Sequence, residues 1–242
     1  LSVKPKKKYI KTTVGYYEKQ DKNLINGLVL NNINQVIAGD ITYLITPKYR
    51  YYIFTLKDMY SKRIVGIYGS TNMFSENAVK VLQQVKKLRG KDLAGCIHHS
   101  DAGSQYKSRV YKNLLSRCGI KMSIAENCLQ NGMAEQLNGV LKNDYITSDI
   151  INTRDLNKKL AEIQWLINNE RPVKVLGNKT PVEFEKSLVK GENALSIKLI
   201  CYRKIVSKDV SCRNVCIRHL LPKYSIPGNI HAAITSRFYG VF

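Results

Sequence analysis

Between residues 41 and 69 the chain carries three short runs of β-branched and aromatic residues, Ile41–Thr46, Tyr51–Leu56 and Arg63–Gly69, separated by brief polar turns. Such runs read as strands, and links this short favour an antiparallel meander. The periodicity then changes. Ala78, Val79, Leu82, Val85 and Leu88 recur at helical spacing behind Ser75, which predicts a helix over 75–88 with Ser75 as its N-cap. Leu93–Ile97 is a short apolar run, expected as a buried strand parallel to the first because a helix intervenes. Val110–Cys118 reads as a helix, Lys121–Ala125 as extended chain and Asn131–Tyr145 as an amphipathic helix. Thr153 is expected to cap a last helix with Leu156, Leu160, Ile163 and Ile167 on one face.

The order βββαβαβαα is an α/β pattern of the ribonuclease-H-like type: a five-stranded mixed sheet with helices on both faces. In that arrangement the first and fourth strands are neighbours. Residues 1–39 show no sustained periodicity and read as a basic linker or N-terminal arm. Residues 40–186 form the expected core, and 187–242 a basic C-terminal appendage of unknown structure.

Charge narrows the partner. The 242 residues hold 39 Lys and Arg against 18 Asp and Glu, a formal charge of +21. An excess of that size points to a polyanion, most simply nucleic acid. No apolar run approaches the roughly 20 residues of a membrane span, and no secretory leader is recognised, so no membrane partner and a cytoplasmic, nucleoid-associated location are expected. The six cysteines are then expected as reduced thiols. Cys212, Cys216 and His219 have compact zinc-like spacing, but a fourth ligand is not evident.

Three carboxylates sit in settings suited to metal-dependent phosphoryl transfer. Asp40 opens the first strand run, Asp101 follows the Leu93–Ile97 run in a turn-rich segment, and Glu135 lies on the amphipathic helix. At 3.6 residues per turn, Met133, Leu137, Val140 and Leu141 share one side of that helix, while Asn131, Glu135, Asn138 and Lys142 share the other. Carboxylates converging from two strand ends and a helix suit Mg²⁺, which prefers oxygen ligands.

The segments Asp40-Ile-Thr-Tyr, Ser61-Lys-Arg-Ile-Val-Gly, His99-Ser-Asp-Ala-Gly-Ser-Gln-Tyr, Asn131-Gly-Met-Ala-Glu-Gln-Leu-Asn-Gly-Val-Leu-Lys and Arg171-Pro…Leu176-Gly-Asn-Lys-Thr-Pro-Val-Glu-Phe occur in this order. Together they resemble the catalytic subunit of bacterial insertion-sequence transposases of the IS-three family, which carries a retroviral-integrase-type core with a DDE triad. The resemblance covers roughly residues 3–186. It implies Asp40, Asp101 and Glu135 as catalytic and metal-binding residues, two Mg²⁺ ions for which Mn²⁺ substitutes, 3′-end cleavage and strand transfer. It also implies transposon-end and target DNA as partners, a homo-oligomer on DNA, and a helix-turn-helix companion or upstream region. Ala102, Ile37 and Val173 depart from residues usual at their places, and 33 residues separate Asp101 from Glu135, slightly fewer than usual.

Around this triad His99, Ser104, Gln105, Tyr106, Asn131, Asn138 and Lys142 are candidates for DNA contact, Lys142 as a phosphate clamp. Asp58 is expected as a structural turn acid, and Trp165 and Phe184 as packing residues. Two other activities fit the same residues: a ribonuclease-H-like nuclease that cuts without joining, and a catalytically inactive, truncated DNA-binding remnant.

Overall fold

A computed structural model describes residues 22–46, 48–125, 141, 152–191 and 195–199. All of them belong to one compact unit, Leu1–Ile205. In chain order the strands are β1 (Val29–Leu30), β2 (Val36–Ile45), β3 (Arg50–Asp58), β4 (Ile64–Ser70), β5 (Ile97–Ser100), β6 (Lys121–Ile124) and β7 (Ile197–Lys198). The helices are α1 (Ser75–Arg89), α2 (Ser104–Lys107), α3 (Arg109–Arg117), α4 (Thr153–Asn169) and α5 (Pro181–Val189).

The main sheet has the order β4-β3-β2-β5-β6. The pairs β2–β3 and β3–β4 are antiparallel, while β2–β5 and β5–β6 are parallel. This is the expected five-stranded mixed sheet with its first and fourth main strands adjacent. The first strand starts upstream of Asp40, at Val36. Ile25, Leu30 and Val36 are all buried, so residues before Asp40 contribute to the core. A separate two-stranded pair joins β1 to β7.

Alternation along each strand divides the interior into two sides. Ile37, Phe54 and Leu56 pack against Ala78, Val81, Leu82 and Val85 of α1 and Tyr111 and Leu115 of α3. Tyr51, Ile53 and Ile67 point the other way, against Leu156, Leu160, Ile163 and Ile167 of α4. On that second side Val36 and Ala38 pack with Met59, Tyr60 and Phe184. Two glycines of β4 let the helices approach from opposite sides. A Cβ at Gly66 would lie 2.7 Å from Val81 Cγ1, and one at Gly69 only 2.3 Å from Leu156 Cδ2.

Several boundaries differ from the sequence expectation. Phe74, with extended backbone, is the N-cap of α1, while Ser75 is its first helical residue. Leu88 is exposed, because the buried stripe runs through Asn77, Ala78, Val81, Leu82 and Val85. Leu93 closes a 3₁₀ turn, Gly90–Leu93, and the following strand begins only at Ile97. Asn152, not Thr153, caps α4, its side chain accepting from the Asp155 amide. The four apolar positions predicted for this helix are all buried. Trp165 is 56% exposed, so it is not a packing residue: it sits on the side of α4 away from that buried stripe.

Asp58 is the structural acid expected of it. Fully buried, it accepts hydrogen bonds from the amides of Asn34, Tyr60 and Ser61. Next to it Glu185 accepts from Ser61 Oγ at 2.7 Å and pairs with Arg63 and Arg89. These contacts fasten α5 to the β3–β4 turn and the end of α1. The helix itself starts at a capping box in which the Thr180 hydroxyl and Glu183 carboxylate each accept the other residue's amide, with Pro181 in its first turn.

Candidate active site

The parallel register of β2 and β5 sets the site. Val36, Ile37 and Ala38 pair with Ile97, His98 and His99. Carried on by two residues, the same offset places Asp40 level with Asp101, just past the end of β5. Asp40 pairs with Thr55 on its other side, and the Thr55 hydroxyl reaches the Asp40 carbonyl at 3.4 Å. Since β3 and β4 extend beyond β5 and β6, Asp40 stands where the sheet narrows from five strands to three.

Both carboxylates are partly exposed. Burial pushes the Asp101 carboxyl above its ordinary pKa, with the Gly103 amide pulling the other way through a 3.1 Å hydrogen bond. A carboxylate offers about four lone-pair positions, so Asp101 keeps acceptor capacity for a further donor or a cation. Burial raises the Tyr106 pKa well above the ordinary phenol value, with smaller contributions from Tyr111, Asp101 and Asp40.

The other candidates separate into two groups. His99 is fully buried, its Nδ1 lying 2.9 Å from Ser123 Oγ, which also accepts the Leu24 amide at 2.9 Å. Tyr106 is 2% exposed and its ring packs on His98 and Tyr111, with centroids 5.3 and 5.5 Å away. Neither ring presents a surface to DNA, because the strand exit turns both inward; their expected role as DNA contacts is corrected to a structural placement. Gln105 is 8% exposed, and Ser104, at the start of α2, faces solvent. Glu135, Asn131, Asn138 and Lys142 lie outside the described residues, as do Cys212, Cys216 and His219. Leu141 is described: it is fully buried with Tyr51, Ile53, Ile64 and Leu156, on the side of the sheet that the alternation assigns to Asp40.

Two further residues shape the site without a periodic signal in the sequence. Gly39 precedes Asp40, and a Cβ there would lie 3.0 Å from both His98 Nε2 and Leu56 Cδ2. His98 is buried and accepts or donates at 2.8 Å to the Tyr111 hydroxyl; burial lowers its pKa to about 3, so the ring is neutral at physiological pH. The sequence clue is only a glycine immediately before the strand aspartate.

Among the described residues no group of three His, Cys, Asp or Glu side chains is arranged to hold a metal ion. The donors that do converge, two carboxylates with oxygens alone, fit a hard divalent cation rather than zinc or copper. Also among the described residues, no helix is long and apolar enough to cross a membrane.

A mixed five-stranded sheet with helices on both sides, one aspartate within its central strand and another just past the end of the parallel neighbour, defines a ribonuclease-H-like, integrase-type core. Two models of the integrase core domain match the chain, over residues 31–127 and 116–181. The magnesium-bound catalytic core of HTLV-2 integrase superposes with a TM-score of 0.50 at 18% identity, covering 68% of this chain and 99% of that one. Sequence relatives are insertion-sequence proteins. A transposase for element IS904 of Lactococcus lactis is 30% identical over 183 residues, 71% of each chain. One for element IS629 of Shigella sonnei is 30% identical over 185 residues, 74% of this chain and 62% of that protein. The chain belongs to the insertion-sequence transposase family with an integrase core domain. It spans 57–62% of the length of several of these relatives.

Proposed function

We propose that this chain is the catalytic part of a DDE transposase, which cuts DNA at the 3′ end of an insertion sequence and transfers the freed 3′-hydroxyl into target DNA. The observation that carries this is the β2–β5 register, which, continued by two residues, brings Asp40 of the central strand level with Asp101. Glu135 is the third carboxylate of the site. Leu141, six residues further on, is buried in one cluster with Tyr51, Ile53 and Leu156.

Asp40, Asp101 and Glu135 would hold two magnesium ions, which manganese can replace. Bound there, the ions supply Lewis-acid stabilisation of attacking and leaving oxygens. The chain's own contribution is to fix carboxylates on strands that cannot shift independently, since β2 is hydrogen-bonded on both edges. Ser104 is the exposed group at the strand exit suited to meet the scissile strand, with Gln105 behind it. Asn131, Asn138 and Lys142 contact DNA from the Glu135 side, Lys142 through phosphate. The substrates are transposon-end and target DNA, engaged by a homo-oligomer, with end recognition supplied by a helix-turn-helix region or companion. The work is done in the bacterial cytoplasm at the nucleoid.

The test is strand transfer from a labelled, pre-cleaved 3′-hydroxyl oligonucleotide into plasmid with Mn²⁺ or Mg²⁺. Metal-dependent joined product that vanishes in Asp101→Asn is the expected result. Nicking without joining would make the protein a nuclease, and DNA binding without chemistry an inactive remnant.

A further inference from the structure

We propose that the outer edge of β4 is a strand-pairing surface fitted to the same edge of a second copy of this chain, and that side-chain amides from α1 and α4 hold it shut.

β4 ends the main sheet, so one row of its backbone groups faces no neighbouring strand. Its sequence, Ile64-Val-Gly-Ile-Tyr-Gly-Ser, lacks the charges and prolines that commonly guard an edge. Left bare, such a strand is a template for pairing with another chain. The opposite edge, β6, is only four residues long, and its Ile124 amide donates to the Lys22 carbonyl at 3.0 Å.

The row on β4 is filled residue by residue. The Ile64 amide donates to Asn168 Oδ1 at 2.9 Å. Its carbonyl accepts from Asn168 Nδ2 at 2.9 Å and from Gln164 Nε2 at 3.0 Å. The Ile67 amide and carbonyl make the same two bonds with Gln84, at 2.9 and 3.0 Å. Gly69 makes them with Asn157, both at 2.8 Å. A carboxamide offers the N–H and C=O of a peptide group, so each pair copies the two bonds that a residue of an antiparallel strand would exchange. Gln84 reaches the edge from the α1 side of the sheet, the other amides from the α4 side. Together they occupy the positions a docking strand needs. Two copies related by a two-fold axis would set their β4 edges antiparallel, and this is the contact the amides preclude. Copies of this chain then meet through other surfaces.

The experiment uses the full chain, free of DNA and metal, as wild type, Gln84→Ala and the double variant Gln84→Ala/Asn157→Ala. Sedimentation equilibrium gives the mass over a concentration series. Hydrogen exchange read by mass spectrometry gives the protection of the β4 peptide, and thermal melting reports folding. In the double variant the mass should climb with concentration to about twice the wild-type value, as a two-fold pair requires. Its β4 peptide should exchange faster than wild type when dilute and slow again as the mass rises. Gln84→Ala, which opens only the middle of the row, should do the same at higher concentration. Wild-type mass at every concentration, with β4 exchange merely faster, would make the amides stability contacts and overturn the proposal. Association without renewed β4 protection would put the contact elsewhere and equally overturn it. If the double variant does not melt cooperatively, Gln84→Ala decides by the same outcomes.

Discussion

Lys62 occupies the left-handed region of backbone space, at φ +63°, and is buried with its ammonium group donating to the Met59 carbonyl. Burial, then the nearby Lys57, lower its pKa to about 7, against a pull upward from Asp58. The unfolded chain therefore holds this proton more tightly than the folded one between about pH 7 and 10.5. Stability rises with pH across that window, by at most about 1.4 kcal/mol per unit, and the full cost of the charge is present below it. Lys57, lowered to about 8 by burial and Arg171, acts in the same direction. Replacing Lys62 by Met should thus stabilise the protein more at pH 6 than at pH 9, relative to wild type. Thermal melts at both pH values check this, and an equal difference at the two would contradict the buried-charge account. In the sequence Lys62 is merely one of many lysines. Its burial follows from the β3–β4 turn folding back onto the core.

Among the elements, α4 shows how a close approach depends on one missing methyl group. Leu156 and Leu160 sit over Gly69 so tightly that a Cβ there would be 2.3 Å from one side chain and 3.0 Å from the other. The Asn157 side chain also exchanges hydrogen bonds of 2.8 Å with the Gly69 backbone. Gly69→Ala should lift α4 from the sheet and cost roughly 1–3 kcal/mol, read in a denaturant titration. Because Leu141 shares that cluster, the variant should also lose strand transfer beyond its loss of folded protein. Retained stability would show that the leucines move aside freely. The helical stripe of α4 was legible in its sequence, since Leu156, Leu160, Ile163 and Ile167 follow the 3.6-residue period. The glycine beneath it was not, because a cross-element contact leaves no local period.

At the scale of the whole molecule, the proposed DNA binding should be governed by net charge. With +21 on 242 residues, binding to duplex DNA should be largely independent of sequence and strongly salt-dependent. If about four phosphates are neutralised, affinity should fall by about 100-fold between 50 and 200 mM salt. Fluorescence anisotropy at the two concentrations measures this, and Asp101→Asn should show the same salt slope as wild type. A slope near zero would mean that the charge serves another purpose.

The sequence by itself determined the order of elements, the apolar faces of the helices and the carboxylates worth testing, because these depend on local periodicity and side-chain chemistry. Asp40 was readable as a strand acid and Asp101 as a residue at a strand exit. The sheet order expected from the βββαβ pattern also followed, since a helical crossover favours a parallel neighbour. Tertiary structure alone decided which polar residues are available. His99 and Tyr106 sit in the same motif as Asp101, yet both are turned inward, His99 towards Ser123 and Tyr106 into an aromatic cluster with His98 and Tyr111. Burial at a strand exit is set by what packs against it from distant parts of the chain, and no local pattern of residue types encodes that.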